Sequence, residues 1–211
     1  MRRLLLLILT VIAINAARSQ EFSGGAFFGI VGSEVDGDTL GGLNKVGMAG
    51  GFFTNLQFAD KMYVQMELSY IQKGSQKNAD YDKSDFGSFK IKTDYIEIPV
   101  LFQFMPFDWA KLEIGPSISF LVVGKEYIDG YENTPAVDFR PVTYNAIVGA
   151  NVNPLPNLAF NIRFNTSINT IREGGLQSGY VKRFPFFEWG QYHNCLIISL
   201  QYRFLKLGRK L

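Results

Sequence analysis

From residue 20 onward the chain alternates apolar and polar positions with a period of two, the signature of strands with one oily and one wet face. The clearest stretch sets Leu158, Phe160, Ile162, Phe164, Thr166 and Ile168 against Ala159, Asn161, Arg163, Asn165, Ser167 and Asn169. Met62, Val64, Met66, Leu68 and Tyr70 oppose Tyr63, Gln65, Glu67 and Ser69; Ile96, Ile98, Val100, Phe102 and Phe104 oppose Tyr95, Glu97, Pro99, Leu101 and Gln103. Leu112, Ile114, Pro116, Ile118, Phe120 and Val122 stand against Glu113, Gly115, Ser117 and Ser119. Tyr144, Ala146, Val148, Ala150 and Val152 follow, and Leu196, Ile198, Leu200, Tyr202 and Phe204 close the series. With two weaker, glycine-rich segments at 24–33 and 45–56, the pattern predicts eight strands and no helix.

The connections alternate in length. Long polar links fall at 34–44, 74–90, 124–140 and 171–190, and short ones at 55–60, 105–110 and 153–157. Short turns on one side and long loops on the other are the habit of outer-membrane barrels, in which an even strand number leaves both termini in the periplasm. The expected fold is therefore all-β, an eight-stranded antiparallel up-and-down transmembrane barrel with short periplasmic turns and long external loops.

Alternation alone cannot separate such a barrel from a soluble one turned inside out. The aromatic positions decide: Phe58, Phe104, Phe107, Trp109, Phe160, Tyr202 and Phe204 all map near the short-turn end, and Tyr70 and Tyr144 near the other, as headgroup-level girdles do. The strands also run to about ten residues, enough to cross a bilayer at a tilt, whereas globular strands have a mode of about 5–6. The last strand alternates through Ser199, Leu200, Gln201, Tyr202 and Arg203 and ends on Phe204, resembling the terminal signal read by barrel-insertion machinery, although a tail at 205–211 follows.

Arg2 and Arg3 precede an apolar run at 4–14 and then Ala17, Arg18 and Ser19, which reads as a secretory signal peptide over 1–19 followed by a single barrel domain over 20–211. The run is too short for a membrane-spanning helix, which needs about 20 residues. Cys195 is the single cysteine and lies far from the cleavage region, which argues against a lipid anchor and against an intramolecular disulfide. The formal charge of +2 includes Arg2, Arg3 and Arg18; without them 18 basic residues face 19 acidic ones. With 19 Phe, 10 Tyr and 21 Gly beside one His, the composition suits a β architecture better than an enzyme. No basic cluster is interleaved with stacking aromatics, so nucleic acid is not an expected partner.

The segments Glu67-Leu68-Ser69-Tyr70-Ile71-Gln72-Lys73-Gly74, Asp94-Tyr95-Ile96-Glu97-Ile98-Pro99-Val100-Leu101 and Ile114-Gly115-Pro116 resemble the outer-membrane β-barrel domain family common in Bacteroidota, often labelled PorT-like. The resemblance covers nearly the whole chain after the leader and implies an eight-stranded barrel in the outer membrane, usually without an assigned function. The family's namesake takes part in type IX secretion, which makes an accessory role in a secretion or envelope-assembly complex the alternative function.

Folded as a barrel, the chain points Glu67, Glu97 and Glu113 inward from three consecutive strands and Arg163 and Arg203 inward from the seventh and eighth. Eight strands enclose only enough room for side chains, so this network reads as a structural plug of paired charges, with a proton or ion path as the alternative. His193 also faces inward; a lipid-modifying enzyme would have to pair it with a serine and a carboxylate such as Ser178 and Glu188, and no spacing supports that. Asp36 and Asp38, and Asp80, Asp82 and Asp85, lack the spacing of a calcium loop and read as solvated charge. The link at 170–190 carries Tyr180, Lys182, Arg183, Phe184, Phe186, Phe187 and Trp189, a mixture suited to an external contact with a partner or with lipopolysaccharide headgroups, or to an extension of the wall. The reading is a non-enzymatic outer-membrane scaffold with recognition in its external loops, no cofactor and no metal, embedded in outer-membrane lipid and lipopolysaccharide.

Overall fold

The structure, a computed structural model, describes residues 21–38, 40–79, 87–135, 137–173, 181–182 and 188–207, with Leu207 placed by its backbone alone. The expected leader at 1–19 and the loop residues Tyr180, Arg183, Phe184, Phe186 and Phe187 lie outside these. So do Ser178, Asp80, Asp82 and Asp85.

Eight long strands follow one another around a single wall: β1 (Glu21–Asp36), β2 (Lys45–Ala59), β3 (Met62–Lys77), β4 (Phe89–Phe107), β5 (Ala110–Ile128), then, after a short β6 (Tyr131–Asn133), β7 (Val142–Leu155) and β8 (Leu158–Ser167), and, after a two-residue β9 (Arg172–Glu173), β10 (Gly190–Leu207). Each long strand pairs antiparallel with its neighbour, and β10 returns to pair with β1, so the sheet closes and has no edge. Closure pairs each long strand of the wall on both sides, the condition for crossing a bilayer with strands.

The stagger of the barrel follows from the pairing. Phe22 faces Leu56, and the partners continue through Val64, Phe102, Ile114, Val148, Phe164 and Leu196 back to β1 at Gly32, ten residues beyond the start. A stagger of this kind tilts the strands by about 35–45° from the barrel axis. It also makes the side chains of one interior layer come from distant parts of the sequence.

The outward residues form a continuous apolar belt: Phe28, Ile30, Phe52, Leu68, Ile114 and Val148 are each more than half exposed. An apolar surface of that extent has no place in water. Polar side chains occupy the interior over most of the circumference, with Gln65, Glu67, Glu97, Gln103, Asn145 and Asn165 nearly inaccessible.

All three turns at one end are tighter than the sequence reading allowed. They reduce to Asp60-Lys61, Asp108-Trp109 and Pro156-Asn157, and each hairpin carries a register shift just before its turn. A bulge re-aims the strand and tolerates residues such as Pro106 and Pro154, which read as loop in isolation. At the opposite end the strands run further than expected. β3 continues to Lys77, past Gly74, whose φ of 138° is a backbone state that favours glycine. β5 turns back through Asp129 (φ 51°) and Gly130 (φ 82°) into β6, the positive-φ pair that a two-residue hairpin demands. The Asp-Gly dipeptide is the sequence signal that foretells this hairpin.

Candidate functional site

The centre of the lumen is built on Arg163, which β8 projects inward. Its guanidinium takes Glu67 of β3 with both terminal nitrogens, Nη1 to Oε2 at 2.8 Å and Nη2 to Oε1 at 2.7 Å. Its Nε donates to Glu113 of β5. The fork geometry of arginine suits such two-sided capture, and three strands are thereby tied across the interior. Glu113 accepts further bonds from Gln103 (2.9 Å), Asn151 (2.8 Å) and Asn161 (2.7 Å). Below it, Asn55 donates to Gln65 (2.9 Å) and Gln103 (2.8 Å), linking β2, β3 and β4. Gly149 makes room for this centre: a Cβ there would stand 2.9 Å from both Arg163 Cγ and Glu113 Oε1.

Glu97 does not join Arg163. Its partner is Lys73, at 2.6 Å, with Ser117 and Ser119 each donating at 2.9 Å and Asn165 at 2.6 Å. Lys73 escaped the sequence reading because it fell between Tyr70, the last residue assigned to its strand, and the link at 74–90. In a barrel with a wet interior, polar residues carry the strand onward. Arg203 also stands apart from the central acids; it lies at the short-turn mouth, where Nη1 reaches the Pro156 carbonyl at 3.5 Å. The stagger of the sheet places it below the layer that Arg163 occupies.

The polar network fills one side of the lumen. The other side, formed by β10, β1 and β2, packs Phe27, Val31, Ala49, Phe53, Cys195 and Ile197 against Ile71 and Tyr95. The space left beside Arg163 measures about 10 Å³, at most a single water.

At the long-loop end, Phe139 and Ile171 fold in over Val35 and Ile91 as an apolar cap. Arg172 stacks over the Phe139 ring at 4.3 Å and donates to Glu126 at 2.9 Å, both side chains being largely buried. Outside this cap Arg140 pairs with Glu173 and Glu188, joining two links. His193 lies beneath the cap at 1% exposure, with Nε2 3.1 Å from Thr93 Oγ1 and its ring edge-on to Tyr95. Glu188, the carboxylate that a lipid-modifying site would need, is engaged by Arg140. At the short-turn end the lumen opens into a cavity of about 390 Å³, which Lys111, Arg203 and Tyr63 line.

Against known proteins, the description of the outer membrane protein beta-barrel domain matches residues 17–173, well over half of the chain. The chain belongs to that family. Its barrel lies in the outer membrane, so the apolar belt faces lipid, the short turns lie in the periplasm and the long links face outward. No curated protein matches the chain by sequence. Among solved structures, Ail, the attachment invasion locus protein of Yersinia pestis, is 15% identical, with 88% of this chain and 99% of Ail covered and a TM-score of 0.48. Neisserial surface protein A is 11% identical over 88% and 97% at 0.45, and OprG of Pseudomonas aeruginosa is 10% identical over 88% and 95% at 0.40.

In this family barrel the periplasmic girdle consists of Phe58, Phe104, Phe107, Trp109, Phe160, Tyr202 and Phe204, all exposed on the outer wall. Phe107 and Trp109 stack with centroids 5.5 Å apart. Of the external aromatic and basic link, Lys182 and Trp189 are described and both are exposed.

Proposed function

We propose that this family barrel is a sealed, non-enzymatic scaffold, anchored by its wall in outer-membrane lipid, whose external loops recognise a partner or lipopolysaccharide. The observation that carries the reading is the Arg163 guanidinium held between Glu67 and Glu113 across the lumen. A hydrated ion has no path past side chains that hold each other at hydrogen-bond distance, and the Phe139 and Ile171 cap adds a second barrier. The buried, lumen-facing position of His193 favours a packing role over lipid chemistry, since a catalytic histidine needs substrate within hydrogen-bond reach. The proposal includes removal of a signal peptide at 1–19, leaving one domain over 20–211, and membership in the PorT-like branch on the strength of the three segments that resemble it.

Purified protein in planar lipid bilayers should pass no stepwise current, and unboiled protein should migrate differently from boiled protein on a gel. Replacing Tyr180, Lys182, Arg183, Phe184, Phe186, Phe187 and Trp189 with serine should abolish binding to lipopolysaccharide vesicles while leaving the gel shift intact. Regular unit conductance from the wild type, or full vesicle binding by the serine variant, would overturn the reading.

A second reading, an accessory of a secretion or envelope-assembly complex, is favoured by the periplasmic cavity. A stoichiometric envelope protein co-purifying after crosslinking would support it over the first.

A further inference from the structure

The external ends of β3, β4 and β5 carry a cluster of cations on the outer flank of the wall. Along β4, Lys90 and Lys92 share the parity of Ile96, Val100 and Phe102, which face lipid, while the alternate residues Ile91, Thr93 and Tyr95 are buried. Tyr127 of β5 pairs with Lys90, and Lys125 with Lys92. On the β3 side Gln76 pairs with Lys90, and Gly74, with no side chain to fill the space, stands beside Lys92. One step nearer the belt Tyr70 donates its hydroxyl to Asp94 Oδ2 at 2.7 Å. Tyr70 marks the external aromatic level, so the lysines lie just beyond the apolar belt, at the height of outer-leaflet headgroups.

Lys77, Lys90 and Lys92 line one cavity of about 400 Å³ together with Gln76, Phe89 and Tyr127, within the roughly 300–1,000 Å³ of small-ligand sites. No carboxylate lines it among the described residues. The neighbouring acids are turned elsewhere: Asp94 is 1% exposed and held by Tyr70, with Lys92 at 3.4 Å, and Asp129 Oδ1 accepts from the Ser88 backbone N–H at 2.9 Å. Lys125 is paired with Glu132 at 2.8 Å and does not line the cavity. A lone lysine at this height snorkels into water and needs no partner. Ammonium groups clustered around one hollow repel one another, and an anion seated among them removes that cost.

We propose that this cavity seats the phosphorylated headgroup of an outer-leaflet glycolipid, with the ammonium groups on its phosphate oxygens and its acyl chains along the wall below, over Leu68, Ile96 and Phe120. Basic clusters at a membrane surface recognise anionic headgroups in this way. Position selects a lipid over a soluble anion: by parity Gln76, Lys90, Lys92 and Tyr127 turn away from the lumen, directly above the surface that lipid covers. The contact rests on the outer-membrane placement of the barrel and is separate from the link at 170–190.

The test is titration of the full-length barrel, in a non-ionic detergent, with bisphosphorylated lipid A, read by native mass spectrometry as lipid retained per barrel. Saturable retention is expected, weakened about tenfold or more when Lys90→Gln and Lys92→Gln are combined, and kept when both lysines become arginine. Dephosphorylated lipid A should be retained no better than the glutamine variant retains the intact lipid. An unchanged heat-dependent gel shift shows that each variant is folded. If the serine-substituted link kept its binding to lipopolysaccharide vesicles, the loop reading would fall while lysine-dependent lipid retention still stood. Equal retention by the wild type and the glutamine variant, as neutralisation of the lysines by Asp80, Asp82 and Asp85 would produce, overturns the proposal. Displacement of the lipid by an equal concentration of inorganic phosphate overturns it too, since the site would then favour a soluble anion.

Discussion

The two sides of the lumen solve the same problem of filling an eight-stranded barrel in opposite ways. Between β3 and β8 the interior is a hydrogen-bonded lattice around Arg163 and Lys73; along β10, β1 and β2 it is a small hydrophobic core of Phe27, Val31, Phe53, Cys195 and Ile197. The apolar side also brings its backbones close, since a Cβ on Gly51 would meet the Leu68 carbonyl oxygen at 2.2 Å and one on Gly25 the Tyr202 carbonyl oxygen at the same distance. The lattice gains directional bonds that specify which strands face each other, at the risk that one missing partner strands a charge. The apolar side has no charge to strand, and its errors are limited to voids and overlaps.

Several substitutions would break or sharpen this contrast, each read by urea unfolding of protein refolded into lipid vesicles. Arg163→Met should cost the most, about 3–5 kcal/mol, because it leaves Glu67 and Glu113 buried without their cation. Adding Glu67→Gln and Glu113→Gln to it should recover most of that loss, and conductance should stay negligible throughout. If Arg163→Met alone unfolded like the wild type, the polar side would be no more demanding than the apolar one. On the apolar side Gly51→Ala should cost about 1–3 kcal/mol, the range for overpacking against backbone that has little room to shift. Phe53→Leu should cost only about 1 kcal/mol, since neighbouring apolar side chains can partly close over a modest loss of volume. Lys182→Met, outside both regions, should fall within about 0.5 kcal/mol of the wild type.

The same contrast explains which strands were plain in the sequence and which were faint. β8 reads clearly because Ile162 and Phe164 face lipid while Asn161, Arg163 and Asn165 face the lattice. β1 and β2 read weakly because Phe28 and Phe52 face lipid while Phe27 and Phe53 face the hydrophobic core, so that both faces are apolar. Glu67, Glu113 and Arg163 were legible as inward charges from their parity alone. Their pairing was legible only as an expectation, and Lys73 fell between the last residue assigned to its strand and the link at 74–90.

What the sequence determined by itself was local: eight strands, the face each turns outward, the level of the aromatic girdle and the alternation of short and long connections. Period-two contrast and turn chemistry act over a few residues, so they survive without knowledge of the fold. What only the tertiary structure decided was the choice among partners. The ten-residue stagger slides the strands so that Arg163 meets Glu67, 96 positions earlier, and leaves Glu97 to Lys73 and Arg203 to the mouth. It likewise brings Phe139 and Ile171 over the external opening. Such contacts depend on how the closed sheet is sheared, a property of all eight strands together that no single segment encodes.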